Sequence, residues 1–298
     1  MTMIEAPGSA GPTGTAHERH APGTPCWVSL MVHGMAATQQ FYRALFGWEF
    51  RPGPRQLGPY VRALLHGHEV AGIGQLPPDR HLPIAWTPYL GSHDVDATAE
   101  TVRSCGGTVG VGPLVAAEAG RLAIACDPTG AVFGIWQAAE HPVPQQATFP
   151  PSRRPATTPL LDGQTSPAGA LRTGLPGLPG TPAWNELLTY DTASVAPFYR
   201  NVFGYEEEPA ATDDSDYRTL RIEGRPVAGI RGVGHALPRD RGPHWMTYFQ
   251  VEDADVAAER VTELGGHVVR PGCDSALGRT VTVADPEGAT FSVVSPLD

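Results

Sequence analysis

Glu186 and His244 are the residues of this 298-residue chain best suited to moving a proton. Glu186 stands two positions beyond Trp184 in a strand-like run, so the two share a face. A carboxylate set among Trp184, Leu188 and Trp245 loses hydration, which suits it to general acid or base work. His244, beside Trp245 at the mouth of a strand, is the second acid/base candidate. Rings gather on neighbouring segments: Trp184, Tyr190, Tyr217, Trp245 and Tyr248 late in the chain, and Trp27, Trp86, Tyr89 and Trp136 earlier. Such rings either fill a core or stack on a flat ligand. The expectation is a cleft for a small aromatic molecule, with Ser29 on the earlier wall in the place of Glu186. Arg62, Arg218 and Arg221 stand on hairpin strands, where they face solvent or meet a ligand carboxylate or phenolate. His66 and His68 flank Gly67 in a turn with no third donor near, and His33 and His93 sit at strand-to-helix junctions. All four read as surface or capping residues.

These candidates come in pairs because one unit occurs twice. Phe41-Tyr42-Arg43-Ala44-Leu45-Phe46-Gly47-Trp48 returns as Phe198-Tyr199-Arg200-Asn201-Val202-Phe203-Gly204-Tyr205. Trp27 matches Trp184, Tyr60 matches Tyr217, and Val70-Ala71-Gly72-Ile73 matches Val227-Ala228-Gly229-Ile230. Within each copy the pattern runs strand, helix and hairpin, then repeats. Alternating apolar residues mark strands near 27–32, 60–65, 70–76 and 85–90; helical stripes span 35–46 and 95–104, the first closed by Gly47 and the second by Gly106-Gly107. Asp127-Pro128-Thr129-Gly130 and Asp285-Pro286-Glu287-Gly288 are tight turns into the last strands. The expected organisation is a disordered tail over 1–23, a domain over 24–140, a Pro/Gly-rich linker over 141–180 and a second domain over 181–298. Each copy is long enough to bury a core of its own.

Composition narrows the function classes. Asp and Glu number 31 against 21 Lys and Arg, a formal charge of −10 with no basic block, so nucleic acid is not an expected partner. Cys26, Cys105, Cys126 and Cys273 occupy unmatched positions without a Cys-x-x-Cys pair, which reads as free thiols in a reducing compartment. No stretch has the apolar length of a membrane span or signal peptide. A soluble cytoplasmic protein without membrane partners is expected.

The Phe-Tyr-x-x-x-Phe-Gly-[Trp/Tyr] runs, the Gly-Gly after each second helix and the Asp-Pro-x-Gly turns together resemble the vicinal oxygen chelate superfamily, which includes glyoxalase I, the extradiol dioxygenases and the bleomycin-resistance proteins. The resemblance spans about 25–140 and 182–296. It implies an α+β fold of four βαβββ modules in two tandem domains, each pair of modules curving its sheet into a cup. It also implies a divalent metal held by His and Glu. Carried onto this chain, the landmarks put those ligands at Trp27, Gly72 to Gly74, Thr87 and Gly134, and at Trp184, near Gly229, Met246 and Ser292. None is an imidazole or carboxylate. No metal and no other cofactor is therefore expected. The function implied is a metal-independent tailoring enzyme, hydroxylase-like or acid/base, acting on a small aromatic or polyketide-like metabolite of secondary metabolism. An Arg-rich, Lys-poor composition accords with that. Two alternatives stay open: a resistance protein that sequesters an aromatic antibiotic without chemistry, and a divalent-metal lyase or dioxygenase with atypical ligands such as Glu186 and His244. Single-copy relatives pair to complete their sites, so this fused chain is expected to be a monomer or a homodimer.

Overall fold

The computed structural model describes residues 21–77, 83–116, 119–139, 178–209, 216–239 and 241–297. Residues 1–20 of the expected tail (1–23) and 141–177 of the expected linker lie outside the described residues, whereas Gly23 at the tail's end is ordered, its N–H donating to Gly91 O at 2.8 Å. The first copy runs β1 (Pro25–Val32), α1 (Met35–Phe46), β2 (Glu49–Pro52), β3 (Tyr60–Leu65), β4 (His68–Gln75), β5 (Trp86–Gly91), α2 (Val95–Ser104), β6 (Thr108–Val115), β7 (Gly120–Cys126) and β8 (Val132–Ala138). The second repeats the order: β9 (Pro182–Thr189), α3 (Thr192–Phe203), β10 (Glu206–Pro209), β11 (Tyr217–Ile222), β12 (Arg225–Gly232), β13 (His244–Gln250), α4 (Ala254–Glu263), β14 (His267–Ser275), β15 (Gly278–Ala284) and β16 (Thr290–Ser295). These are four βαβββ modules in two tandem α+β domains. The short strands β2 and β10 are the elements that alternation did not mark.

Local chemistry sets the helix ends. Gly47 and Gly204 close α1 and α3 in the left-handed conformation (φ 73° and 74°), each returning its N–H to the carbonyl four residues back. Asp94 and Asp253 cap α2 and α4 by accepting two backbone N–H groups each.

Each copy forms one eight-stranded sheet, ordered β2-β3-β4-β1-β5-β8-β7-β6 and β10-β11-β12-β9-β13-β16-β15-β14. Antiparallel pairing of β1 with β5, and of β9 with β13, joins the two modules of a copy. Successive side chains alternate between a helix-covered face and an inner face. The inner face of each sheet is a cup.

One expectation is corrected here: the two largest apolar cores are each shared between the copies. The first large apolar cluster joins β1, α1, β4 and Trp86 of the first copy to Phe249, α4, β15 and β16 of the second. The other joins Leu90, α2, β7 and β8 of the first copy to α3, β12 and Trp245 of the second. The repeated motif explains the exchange. Tyr42 donates to Asp285 Oδ2 (3.1 Å) and accepts from Trp86 Nε1 (3.0 Å); Tyr199 donates to Asp127 Oδ2 (3.0 Å) and accepts from Trp245 Nε1 (2.9 Å). Thus the Tyr of each copy's helix is held by the other copy's Asp-Pro turn. Burial, and then the facing aspartate charge, lifts both phenols well above the ordinary tyrosine range, so they remain donors. The last residue of the motif also crosses: Trp48 Nε1 donates to Gly180 O (2.8 Å), and Tyr205 donates to Gly23 O.

Candidate functional site

The second cup holds a cavity of about 970 Å³. Its walls are residues of all eight strands, β9 to β16, joined by loop residues such as Pro238, Arg241 and Gly288, so the whole sheet of the second copy wraps it. A separate apolar cluster lies at this face: Trp184, Leu188, Leu237, Met246, Tyr248, Leu277 and Val294.

Beside these apolar groups sits an ion pair whose acid is buried and whose arginine is partly exposed. Glu186 is only 1% exposed. Register places it opposite Gly229 on β12 and Met246 on β13. Because β12 runs parallel to β9, Arg231, two positions beyond Gly229, rises beside it and grips it side-on: Nε to Oε2 at 3.1 Å and Nη2 to Oε1 at 2.9 Å. The Tyr248 hydroxyl donates a third bond to Oε2 at 2.8 Å. The Tyr217 ring supports the guanidinium from one face, 4.8 Å from its carbon. Burial, then the Glu186 charge, raises the pKa of Tyr217 and takes that of Tyr248 well above the ordinary range. Both phenols keep their protons. Burial alone opposes the Arg231 charge, but the Glu186 carboxylate more than offsets it.

The candidate acid/base pair is therefore arranged differently from the sequence expectation. Glu186 is not an isolated carboxylate among rings, because both its oxygens are bonded. Its direct effect is to fix Arg231, whose Nη1 is the terminal nitrogen not used in that grip. His244 is opposite Leu188, one step further along the same inner face, and lines the cavity with its Nδ1 against Gly242 O at 2.7 Å. A carbonyl only accepts, so Nδ1 carries hydrogen.

Sequence pairing and structure disagree on several rings. Trp86 and Trp245 (2% and 4% exposed) are corrections: strand alternation turns both to the helix-covered face, where they donate to Tyr42 and Tyr199. Tyr190 is a third, 52% exposed past the end of β9 and outside the cavity wall. Tyr217 and Tyr248 line the cavity, and Trp184 lies in the apolar cluster of the same face. Its indole N–H closes no hydrogen bond of normal geometry, although the Tyr217 hydroxyl is near enough to feel it.

Trp27, Ser29, Tyr89 and Trp136 lie on the inner face of the first copy, as their strand positions require. There, Trp27 Nε1 donates to the Tyr60 hydroxyl at 3.0 Å, and Ser29 Oγ donates to the Tyr89 hydroxyl at 3.2 Å. The rings lie directly on bare backbone. A methyl group built on Gly72 would meet Tyr60 Oη at 1.6 Å, and one on Gly134 would meet the Tyr89 ring at 2.2 Å. Elsewhere, His33, His66, His68 and His93 are exposed. Arg62 pairs with Glu69 (2.5 Å), Arg218 with Glu207 (3.1 Å) and Arg221 with Glu208. Arg231 is the functional candidate that sequence reasoning missed. Its signal was available, since parallel pairing of β12 with β9 sets it beside Glu186, but the counterpart position in the first copy is Gly74 and so gave no hint.

The donor set of the second cup does not fit a divalent cation. The landmark spacing put the first ligand position at Trp184, whereas register sets Glu186 in the row with Gly229 and Met246. That corrects the position and supplies one acid, but Arg231 and Tyr248 engage it. The other positions offer a glycine, a thioether and the Ser292 hydroxyl, and Ser292 already pairs with Thr282 Oγ1 at 3.0 Å. Among the described residues no three His, Cys, Asp or Glu side chains converge. None of the described helices is long and apolar enough to cross a membrane.

Comparison with known proteins bears on this geometry. Residues 186–294 match the family model of the glyoxalase-like domain. CFP32 of Mycobacterium tuberculosis, a protein named for the glyoxylases, is 35% identical over 285 residues, covering 92% of this chain and 95% of that protein. DauV of Streptomyces sp. strain C5, named an anthracycline biosynthesis protein, is 30% identical over 293 residues, covering 93% and 94%. Among solved structures, the Mn(II)-bound glyoxalase of Novosphingobium aromaticivorans superposes with a TM-score of 0.56 at 16% identity, over 93% of this chain and 84% of that one. The 2,3-dioxygenase LapB of Pseudomonas sp. KL28 gives 0.57 at 14% identity, over 92% and 93%. These two likenesses concern the fold.

Proposed function

We propose that this chain, which belongs to the glyoxalase-like vicinal oxygen chelate superfamily, binds a small aromatic, polyketide-like metabolite in its second cup and acts on it as a metal-independent tailoring protein. The observation that carries the reading is the cavity itself: about 970 Å³, apolar in its lining cluster, with Arg231 locked in place by Glu186 and Tyr217. That volume suits a drug-sized planar molecule, whose rings meet the apolar cluster while the polar side chains of the wall orient it. The likeness to a protein named for anthracycline biosynthesis supports an aromatic polyketide as the ligand class.

The chemistry such a floor favours is stabilisation of charge on a ligand oxygen. Arg231 Nη1 donates to a carbonyl or phenol oxygen and stabilises it as negative charge gathers there. A donor preorganised by a buried carboxylate needs no rearrangement when that happens. His244, along the same face, is the group to carry the proton, and Glu186 acts through Arg231.

Titration with 9,10-anthraquinone, followed by tryptophan fluorescence, tests the binding step. Saturable quenching is expected, and Thr282→Trp, which sets a ring into the cavity, should remove the site. No quenching by any planar aromatic would overturn the proposal. Sequestration without chemistry is the second reading, favoured by the engagement of both Glu186 oxygens. It is separated by recovering the bound metabolite and weighing it: an unchanged mass after prolonged incubation speaks for a binder. Under the enzymatic reading, Glu186→Gln lowers turnover more than affinity.

A further inference from the structure

We infer that the second cup reads hydroxyl groups along one edge of its ligand, and that β15 and β16 are the strands that read them. The inference rests on the reading of this cup as a ligand site and adds which substituents its occupant carries and which way round it lies. Five residues of these two strands line the cavity: Thr280, Thr282, Ala284, Thr290 and Ser292. Four bear hydroxyls and none is charged. The same rungs exist in the first copy, where the pairings of Thr280 with Val294, Thr282 with Ser292 and Ala284 with Thr290 are matched by Leu122 with Trp136, Ile124 with Gly134 and Cys126 with Val132. The four hydroxyl positions there hold Leu122, Ile124, Val132 and Gly134. This sheet therefore folds without hydroxyls at these places, and Val would fill the volume of Thr with no polar atom to satisfy. Packing alone does not call for them.

Their bonding leaves capacity for a ligand. A hydroxyl brings one hydrogen and accepts through its lone pairs. Thr282 Oγ1 and Ser292 Oγ share one hydrogen at 3.0 Å, which leaves the pair a second O–H and further lone pairs to offer. Thr280 Oγ1 donates to Cys273 O at 3.2 Å. Thr290, in a buried position, has no hydrogen-bond partner for its hydroxyl among the described residues, and that oxygen is not sealed off from the cavity. Water or a ligand atom has to complete these groups. The partner that gives and accepts through one atom is another hydroxyl, whereas Arg231 only donates and so suits a carbonyl or phenolate oxygen. The ligand then lies with that oxygen towards β12 and its hydroxyl edge towards β15 and β16. Strands β9 and β13 stand between β12 and β16, so the two ends are roughly 14 Å apart along the sheet, a span that a fused-ring molecule bridges.

The test titrates the intact protein with two uncharged probes of matched shape, 2-(hydroxymethyl)anthraquinone and 2-ethylanthraquinone, which differ by a hydroxyl against a methyl group, each followed by tryptophan fluorescence. The alcohol should bind about fivefold more tightly than the ethyl probe. In the triple variant Thr282→Val/Thr290→Val/Ser292→Ala the order should reverse by about the same factor, because the ligand hydroxyl then gives up water and finds no partner. The ethyl probe should bind that variant more tightly than it binds the native protein, which also shows that the variant is folded. Thr290→Val alone, which breaks no bond within the described protein, should cut the alcohol's advantage to about twofold and decides the matter where the triple variant does not fold. Equal affinities or a preference for the ethyl probe in the native protein, or an advantage of the alcohol that these variants leave intact, would overturn the inference and leave the aromatic cup standing. Failure of both probes to bind the native protein would overturn the cup reading as well.

Discussion

The two cups share a strand order and a register, and they differ at a handful of inner-face positions. In the first, Ser29, Gly74 and Gly134 stand where the second has Glu186, Arg231 and Ser292. Bare backbone lets the first cup accommodate its own side chains: Tyr60 lies on Gly72, Met31 on Gly74 and Tyr89 on Gly134. The second keeps one of these contacts, Tyr217 on Gly229, but Arg231 occupies the next place and ties Tyr217, Glu186 and Tyr248 into one cluster. The lesson is that a duplicated sheet makes two inner faces, whereas the groups standing on its strands decide what each face presents. Behind the sheets the two copies are not separate, because their helices pack in cores shared by both.

The largest expected effect comes from breaking the ion pair of the second cup. Arg231→Ala leaves the buried Glu186 charge with the Tyr248 hydroxyl alone and, discounted for the partial exposure of Arg231, should cost about 2.5 kcal/mol, read as a fall in urea midpoint. Pairing it with Glu186→Gln should recover part of that loss; no recovery would show that Arg231 acts through packing alone. Next in size is an exchange between the cups. Gly134→Ser puts a side chain into the Tyr89 ring and should cost about 2 kcal/mol, whereas Ser292→Gly in the second cup should cost about 1 kcal/mol. Equal costs would mean that the Tyr89 ring does not lie on Gly134 as described. Smaller again is Tyr60→Phe, which removes the acceptor of the Trp27 indole and should cost about 1 kcal/mol without affecting probe binding to the second cup.

The smallest effect is a pH dependence that should be alike in the two halves. Burial raises the carboxyls of Asp127 and Asp285 above their ordinary 3.8, against the hydrogen bonds each accepts. The folded protein then binds the proton more tightly than the unfolded chain. These groups therefore make stability fall as pH rises from 3.8 through their folded values, and the effect is absent below that window. Asp285→Asn and Asp127→Asn should each flatten that slope by a similar amount, under about 1 kcal/mol, in urea midpoints measured across the acid range. A slope removed by one variant alone would deny the pseudo-symmetry of the cores.

Much of the fold was legible before any coordinates. The helices predicted over 35–46 and 95–104 match α1 and α2, because an apolar stripe and a terminal glycine are local signals. The strand β2, Glu49–Pro52, escaped since four mostly exposed edge residues leave no alternation to find. The site was legible in part. Glu186 on an inner face followed from counting two residues beyond Trp184. Trp86 and Trp245 were placed on the wrong side because a ring's size does not say which face of a strand it occupies, and pairing with Leu30 and Leu187 settled that.

The sequence by itself determined that one βαβββ pair occurs twice, where its helices end and which residues alternate along each strand. These are consequences of spacing within a few residues. Only the tertiary structure decided that Tyr42 answers Asp285 and Tyr199 answers Asp127, that Arg231 closes on Glu186, and that the cavity belongs to the second copy's sheet. Each of those joins groups distant along the chain, and a buried hydroxyl or charge takes whichever partner the packed core brings within reach.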